Sequence, residues 1–96
     1  MVQINETKLA EICRNHDVRV LKIFGSAARG EDRPDSDVDL IVEFDGDKSL
    51  FDLIGLELEL ETFLNRKVDL LTEPAISPYL RDRILASASV IYDRAG

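Results

Sequence analysis

Asp37 and Asp39 stand two residues apart in the run Ser36-Asp37-Val38-Asp39-Leu40. Around them the residues alternate as in a β-strand. Val38, Leu40, Val42 and Phe44 fall on one face, and Asp37, Asp39, Ile41 and Glu43 on the other. Carboxylates two apart leave the same strand face with Cα atoms roughly 7 Å apart. They repel each other unless a cation lies between them. An all-oxygen ligand set suits Mg²⁺ or Mn²⁺ rather than zinc. A solvated strand edge would carry the same two residues without a metal. An EF-hand loop, with Asp35, Asp37 and Asp39 at positions 1, 3 and 5, fails on two counts. Leu40 replaces the required glycine, and Gly46 replaces the closing glutamate.

The acidic pair has company. Gly25-Ser26 follows an apolar run and opens a short turn, an arrangement that aims backbone N–H groups at an anion. A glycine there admits a phosphate that a Cβ would block, and Ser26 adds a hydroxyl donor. No Gly-Lys-Ser/Thr follows, and the spacing is not G-x-G-x-x-G, so neither common mononucleotide nor dinucleotide loop is present. Taken alone, Gly-Ser after a strand is a turn. A third carboxylate, Asp69, falls in another short β-type run, Lys67 to Leu71. Three strand-borne carboxylates and a phosphate-binding turn are the parts needed for two-metal phosphoryl or nucleotidyl transfer.

The elements that must position these residues can be read from capping and periodicity. Asn5 is an N-cap, with Ile4 and Leu9 spaced as a hydrophobic staple, for a helix ending near His16. Val18 to Phe24 suits a buried strand. Ser26 to Arg29 reads as a helical turn closed by Gly30, and residues 31–36 as a polar loop containing Pro34. Leu56 to Glu61 alternates like a strand. The wider window puts Leu53, Leu56, Leu60, Phe63 and Leu64 on one helical face, which predicts a helix over 49–64 with Ser49 and Asp52 as a capping box. A second apolar set, Leu50, Phe51, Ile54 and Leu58, is left as core or as a surface for a partner. Ser77 as N-cap and Pro78 at the first helical position start a helix to about Ser87, and Val90 to Tyr92 would add a short strand. The order predicts an α/β fold, a small mixed β-sheet with helices packed on it, in a single domain over residues 1–96.

Charge is informative by position. Residues 31–47 hold eight acidic side chains against one arginine, which accounts for the whole net charge of −7. No basic stripe is available for a phosphate backbone, so direct nucleic-acid binding is not expected. The single cysteine, Cys13, excludes an internal disulfide framework and a cysteine zinc cluster. The first residues lack a signal-peptide pattern and no apolar run approaches a membrane span, so the expectation is a cytoplasmic protein without membrane contact.

Gly25-Ser26-Ala27-Ala28-Arg29-Gly30 followed by Ser36-Asp37-Val38-Asp39-Leu40 resembles the signature of the DNA polymerase β-like nucleotidyltransferase superfamily. With Val68-Asp69-Leu70 and the Leu80 to Leu85 helix, nearly the whole chain is similar to its minimal branch, the MNT-domain antitoxins of HEPN/MNT toxin–antitoxin pairs. The resemblance implies a polymerase β-like fold and roles residue by residue. Gly25 and Ser26 would hold the β- and γ-phosphates of ATP. Asp37 and Asp39 would bind two Mg²⁺ ions, with Mn²⁺ as a substitute, and Asp69 would complete the metal site and help activate the acceptor. Arg29 would either contact the nucleotide or brace the acidic loop. Asp35 and Ser36 would shape that loop, while Cys13 and His16 read as core and helix-end residues.

Three functions follow from different classes. The first is an antitoxin enzyme that transfers AMP from ATP to a hydroxyl, tyrosine by resemblance, of a cognate HEPN RNase toxin. With 96 residues there is little surface to bind both nucleotide and acceptor, so the acceptor protein would supply part of the site. The second is a small-molecule nucleotidyltransferase of the aminoglycoside-modifying kind, whose further helical domain is missing here. The third is a non-enzymatic antitoxin that masks its toxin, which the intact Asp37, Asp39 and Asp69 set argues against.

Overall fold

The structure, a computed structural model, describes residues 4–31, 33 and 36–95. The expected roles of Pro34 and Asp35 in the polar loop lie outside the described residues. Helix α1 (Glu6–Asn15) starts where Asn5 Oδ1 accepts the Lys8 N–H at 3.1 Å, and it is capped at His16. Strand β1 (Val18–Phe24) runs straight into the single turn α2 (Gly25–Ala28). Strand β2 (Val38–Phe44) leads to α3 (Leu50–Leu64), opened by the complete Ser49/Asp52 capping box. Strand β3 (Val68–Thr72), a 3₁₀ turn (Glu73–Ala75), α4 (Pro78–Ser87) and β4 (Ser89–Asp93) complete the chain. The 3₁₀ turn was not foreseen, and Ser77 precedes α4 without a side-chain cap bond.

The sheet order is β3-β2-β1-β4, with β2 parallel to β3 and antiparallel to β1, and β1 antiparallel to β4. This is the small mixed sheet expected from the element order. One sheet face carries Leu21, Ile23, Leu40, Val42 and Leu70 into a core shared with Leu9, Ile12 and Cys13 of α1 and Leu56 and Leu60 of α3. Burying these apolar side chains supplies the main drive to fold, roughly 1.5–3 kcal/mol for each large one. The helical reading of α3 holds because Leu56 and Leu60 are fully buried while Leu58 is 57% exposed. A strand would have put all three on one face. Leu50, Phe51 and Ile54 are exposed too, so the second apolar set of α3 is surface and not core.

That packing decides where the chemistry can sit. With the core on one face, the alternate residues of β2 and β3 must point to the other face, at the end where α2 and the loop before β2 meet the sheet.

Candidate active site

Register brings two of the three carboxylates together. Asp39 is the direct neighbour of Phe24 on one side and of Asp69 on the other, so Phe24, Asp39 and Asp69 form one cross-strand row. Neighbouring strands lie about 4.8 Å apart, which puts the Asp39 and Asp69 side chains within reach of one ion. Asp37 precedes β2 by one residue, at the same end of the sheet. Asp37 and Asp69 are exposed and Asp39 is half-buried. Burial first, and then the negative charges of Asp69 and Asp37, raise the pKa of the Asp39 carboxyl above its ordinary value. Asp39 therefore carries an electrostatic cost that a cation beside it would relieve.

Gly25 closes the site from the side of β1. Its φ of +73° is a left-handed conformation, and a Cβ there would lie 2.5 Å from Oδ2 of Asp39. Any larger residue there would have to displace this carboxylate, and the left-handed backbone of the turn itself favours glycine. Ser26 follows in the first residues of α2, whose leading N–H groups have no acceptor four residues earlier. Arg29 caps that turn and its Nε donates to Glu31 Oε2 at 3.1 Å, so in this structure it braces the acidic segment. Ser36 Oγ accepts the Arg33 N–H at 3.0 Å, which shapes the loop as expected. Cys13 is wholly buried, and His16 pairs with Glu59 between α1 and α3, away from the carboxylates.

Three supporting residues escaped the sequence. Arg66, just beyond α3, donates through Nη2 to the carbonyls of Arg33 (2.6 Å) and Ser36 (2.8 Å), holding the loop that leads to Asp37. Glu61 Oε2 accepts the Val68 N–H at 2.9 Å, and Glu57 Oε2 accepts the Leu70 N–H at 3.3 Å. These bonds satisfy outward-facing donors of the edge strand on either side of Asp69 and so fix its position. The four-residue spacing of Glu57 and Glu61 places them on one helix face and was a readable signal. Arg66 left none, since its bonds close over 30 and 33 residues.

The donor set fits a divalent metal. Among the described residues no group of three or more His, Cys, Asp or Glu side chains is placed to hold a metal ion by itself. Mg²⁺ does not ask for one, since it is commonly held by one or two carboxylates together with substrate phosphates and water. Asp37, Asp39 and Asp69 are the residues that would hold it.

Residues 7–95 match the family model described as polymerase β nucleotidyltransferase. The chain belongs to the polymerase β-like nucleotidyltransferases. Among curated members, one from Methanocaldococcus jannaschii named "Putative protein adenylyltransferase" is 47% identical over 89 residues, which is 91% of this chain and 96% of the relative. The protein adenylyltransferase MntA of Thermococcus cleftensis is 37% identical over 75 residues, 78% of this chain and 76% of its own. A solved structure described as a "putative minimal nucleotidyltransferase" superposes with a TM-score of 0.76 at 38% identity, covering 88% of this chain and 86% of that one. Two more distant structures share the fold of this family. A toxin–antitoxin with AMP-PNP reaches a TM-score of 0.77 at 22% identity, covering 94% and 74% of the two chains. A tri-AMPylated Shewanella oneidensis HEPN toxin in complex with its MNT antitoxin reaches 0.70 at 21%, covering 99% and 75%. The family and fold expected from the Gly25-Ser26 and Asp37/Asp39 motifs are therefore those found. As a nucleotidyltransferase, the chain is an enzyme.

Proposed function

We propose that this nucleotidyltransferase is an antitoxin that moves AMP from ATP to a tyrosine hydroxyl of a cognate HEPN RNase toxin, in the cytoplasm, and thereby silences it. The observation that carries the reading is the Asp39–Asp69 row closed by Gly25, in a chain matched almost end to end by relatives named as protein adenylyltransferases. Gly25 and Ser26 bind the β- and γ-phosphates, the glycine by leaving room and the serine by its hydroxyl. Asp37, Asp39 and Asp69 would hold two Mg²⁺ ions. Those ions, when bound, neutralise the phosphate charge and polarise the reacting oxygens. Asp69, on the exposed side of the row, receives the acceptor and draws the proton of its hydroxyl toward its carboxylate. The acceptor oxygen forms a bond to the α-phosphorus, the bond from that phosphorus to the bridging oxygen breaks, and pyrophosphate leaves.

A protein acceptor is favoured by the exposed carboxylates together with exposed apolar surface elsewhere on the chain. Asp37 and Asp69 are exposed, and α3, which packs on the core face of the sheet, presents Leu50, Phe51, Ile54 and Leu58 to solvent. Exposed large apolar side chains grouped on one helix are a feature of protein interaction surfaces. The deciding measurement is the intact mass of the protein encoded beside this one, after incubation with the chain, ATP and Mg²⁺. One or more added AMP units, with loss of the partner's RNase activity, is expected. Neutralisation without any mass increase overturns the enzymatic reading in favour of masking.

A further inference from the structure

The cleft beside Gly25 carries a residue outside the Gly25-Ser26 turn and the three aspartates, to which no role has been given. Between α2 and α4 lies an open cavity of about 440 Å³ whose walls include Phe24, Gly25, Arg29, Leu80, Arg83 and Ile84. Two of these are arginines and none is acidic, in a chain of net charge −7. Arg29 enters from the end of α2, and Arg83 enters from the middle of α4. Gly25 lines this cavity and also abuts the carboxylate row, since a Cβ there would lie against Asp39 Oδ2. The cationic cleft and the acidic row therefore adjoin across a single residue.

The two arginines differ in their engagements. Arg29 bonds to Glu31 at the surface, a contact of the weak, solvent-screened kind. Arg83 makes no ion pair and no side-chain hydrogen bond among the described residues, although other arginines of the chain do. An arginine fork lining a concave wall without a carboxylate partner suits a tetrahedral oxyanion, which it can bind through two parallel N–H donors. A nucleotide whose α-phosphate lies at Asp39 and Asp69 must pass Gly25 with the rest of its phosphates. The cleft is where they would emerge.

We propose that Arg83 forms the second cationic wall of a polyphosphate subsite. It binds the terminal phosphates of a nucleoside triphosphate opposite Arg29, and holds the pyrophosphate until it departs. The proposal rests on the nucleotidyl-transfer reading for its substrate, and it adds that selection of a triphosphate over a monophosphate lies in α4. Arg83 contacts the leaving group and takes no part at the acceptor.

The test is calorimetric titration of the purified chain with inorganic tripolyphosphate and, separately, with AMP, both with Mg²⁺. Arg83→Gln is expected to weaken tripolyphosphate binding at least about tenfold, the scale of one charge-assisted contact, while AMP binding is unchanged. Arg83→Lys is expected to recover part of the loss. Arg14→Gln removes one positive charge from α1, where Arg14 lines a different cavity, with Asp17 and Arg94, and should leave both titrations as in the wild type. Equal weakening by Arg83→Gln and Arg14→Gln overturns the proposal, because only overall charge would then matter. Equal weakening of AMP and tripolyphosphate by Arg83→Gln also overturns it, placing the arginine at the nucleoside. The two readings fail separately. An Arg83-dependent tripolyphosphate site in a chain that never transfers AMP sinks the enzyme reading alone. Unchanged tripolyphosphate affinity and wild-type KM for ATP in an active Arg83→Gln variant sink this one alone.

Discussion

A Cβ added to Gly25 would lie 2.5 Å from Oδ2 of Asp39, so the glycine of the turn and the carboxylate of the neighbouring strand are fitted to each other. Gly30 has the same φ of +73°, but nothing lies within 4 Å of where its Cβ would be. The two glycines thus separate backbone strain from collision. Gly30→Ala should cost about 1–2 kcal/mol of stability, the left-handed penalty alone, and leave AMP transfer near wild type. Gly25→Ala carries the same penalty and must also displace Asp39. Its transfer activity should fall at least about a hundredfold, as when a charge-stabilising group is removed. Urea denaturation and a transfer assay on both variants check this. Equal activity of the two would mean that Asp39 moves aside freely and that its position is immaterial.

Asp39 is also where folding and function conflict. Burial and the charges of Asp69 and Asp37 disfavour its ionised form, so near neutral pH the folded metal-free chain carries an electrostatic cost there. Asp39→Asn should accordingly melt at or above the wild-type temperature without metal, lose the rise that Mg²⁺-ATP produces, and transfer AMP at least about a hundredfold more slowly. Asp69→Asn, at the exposed end of the row, should keep much of the Mg²⁺-ATP effect on melting but lose transfer. Thermal melts with and without Mg²⁺-ATP distinguish the two variants. Full transfer by Asp39→Asn would refute the metal assignment.

The elements were legible because their signals are local. Asn5 and Ser49 mark helix starts through contacts spanning three residues, Pro78 marks one through its fixed φ, and the alternation around Asp39 names the strand face directly. The phosphate turn and the D-x-D could be paired from sequence because each is short and chemically distinctive. What could not be read was register. Nothing in the order of residues states that Asp39 faces Asp69 rather than Leu71, since a parallel pairing is set by helix packing over the intervening chain. Arg66 was invisible for the same reason, because it serves loop carbonyls 30 and 33 positions away. The place of Arg83 on the cleft wall depends on how α4 crosses β1, which no periodicity encodes.

Cys13 gives a pH prediction. It is wholly buried, and burial pushes its thiol up to about 12. In the unfolded chain the thiol would ionise near its ordinary value of about 8.5. Between these values the folded state keeps a proton that the unfolded state releases. This contribution is thus fully present below the ordinary thiol pKa and is lost as pH rises toward 12, at no more than about 1.4 kcal/mol per pH unit. Cys13→Ala should be less stable than wild type at pH 7, because it leaves a small cavity, and the gap should narrow by pH 10. Urea midpoints at the two pH values measure it. A gap that stays constant would show that the thiol is not shielded in the fold.

Leu56 and Leu58 test how α3 sits on the sheet. Leu56 is fully buried against the core, and Leu58, two residues on, is 57% exposed. The alternation from Leu56 to Glu61 would make them equivalent in a strand, whereas the helix sets them about 200° apart at 3.6 residues per turn. Leu56→Ala should therefore cost about 2–5 kcal/mol, through lost burial and a cavity the core only partly closes. Leu58→Ala should stay within about 0.5 kcal/mol of wild type, as exposed substitutions do. For a domain of this size each kcal/mol moves the midpoint by about 4–8 °C, so Leu56→Ala should melt at least about 8 °C lower or fail to fold. Differential scanning calorimetry of both variants reads the contrast. Similar losses for the two would mean that Leu58 is covered in solution, by a second copy of the chain or another part of it, and dilution of the wild type would tell which, since only self-association depends on concentration.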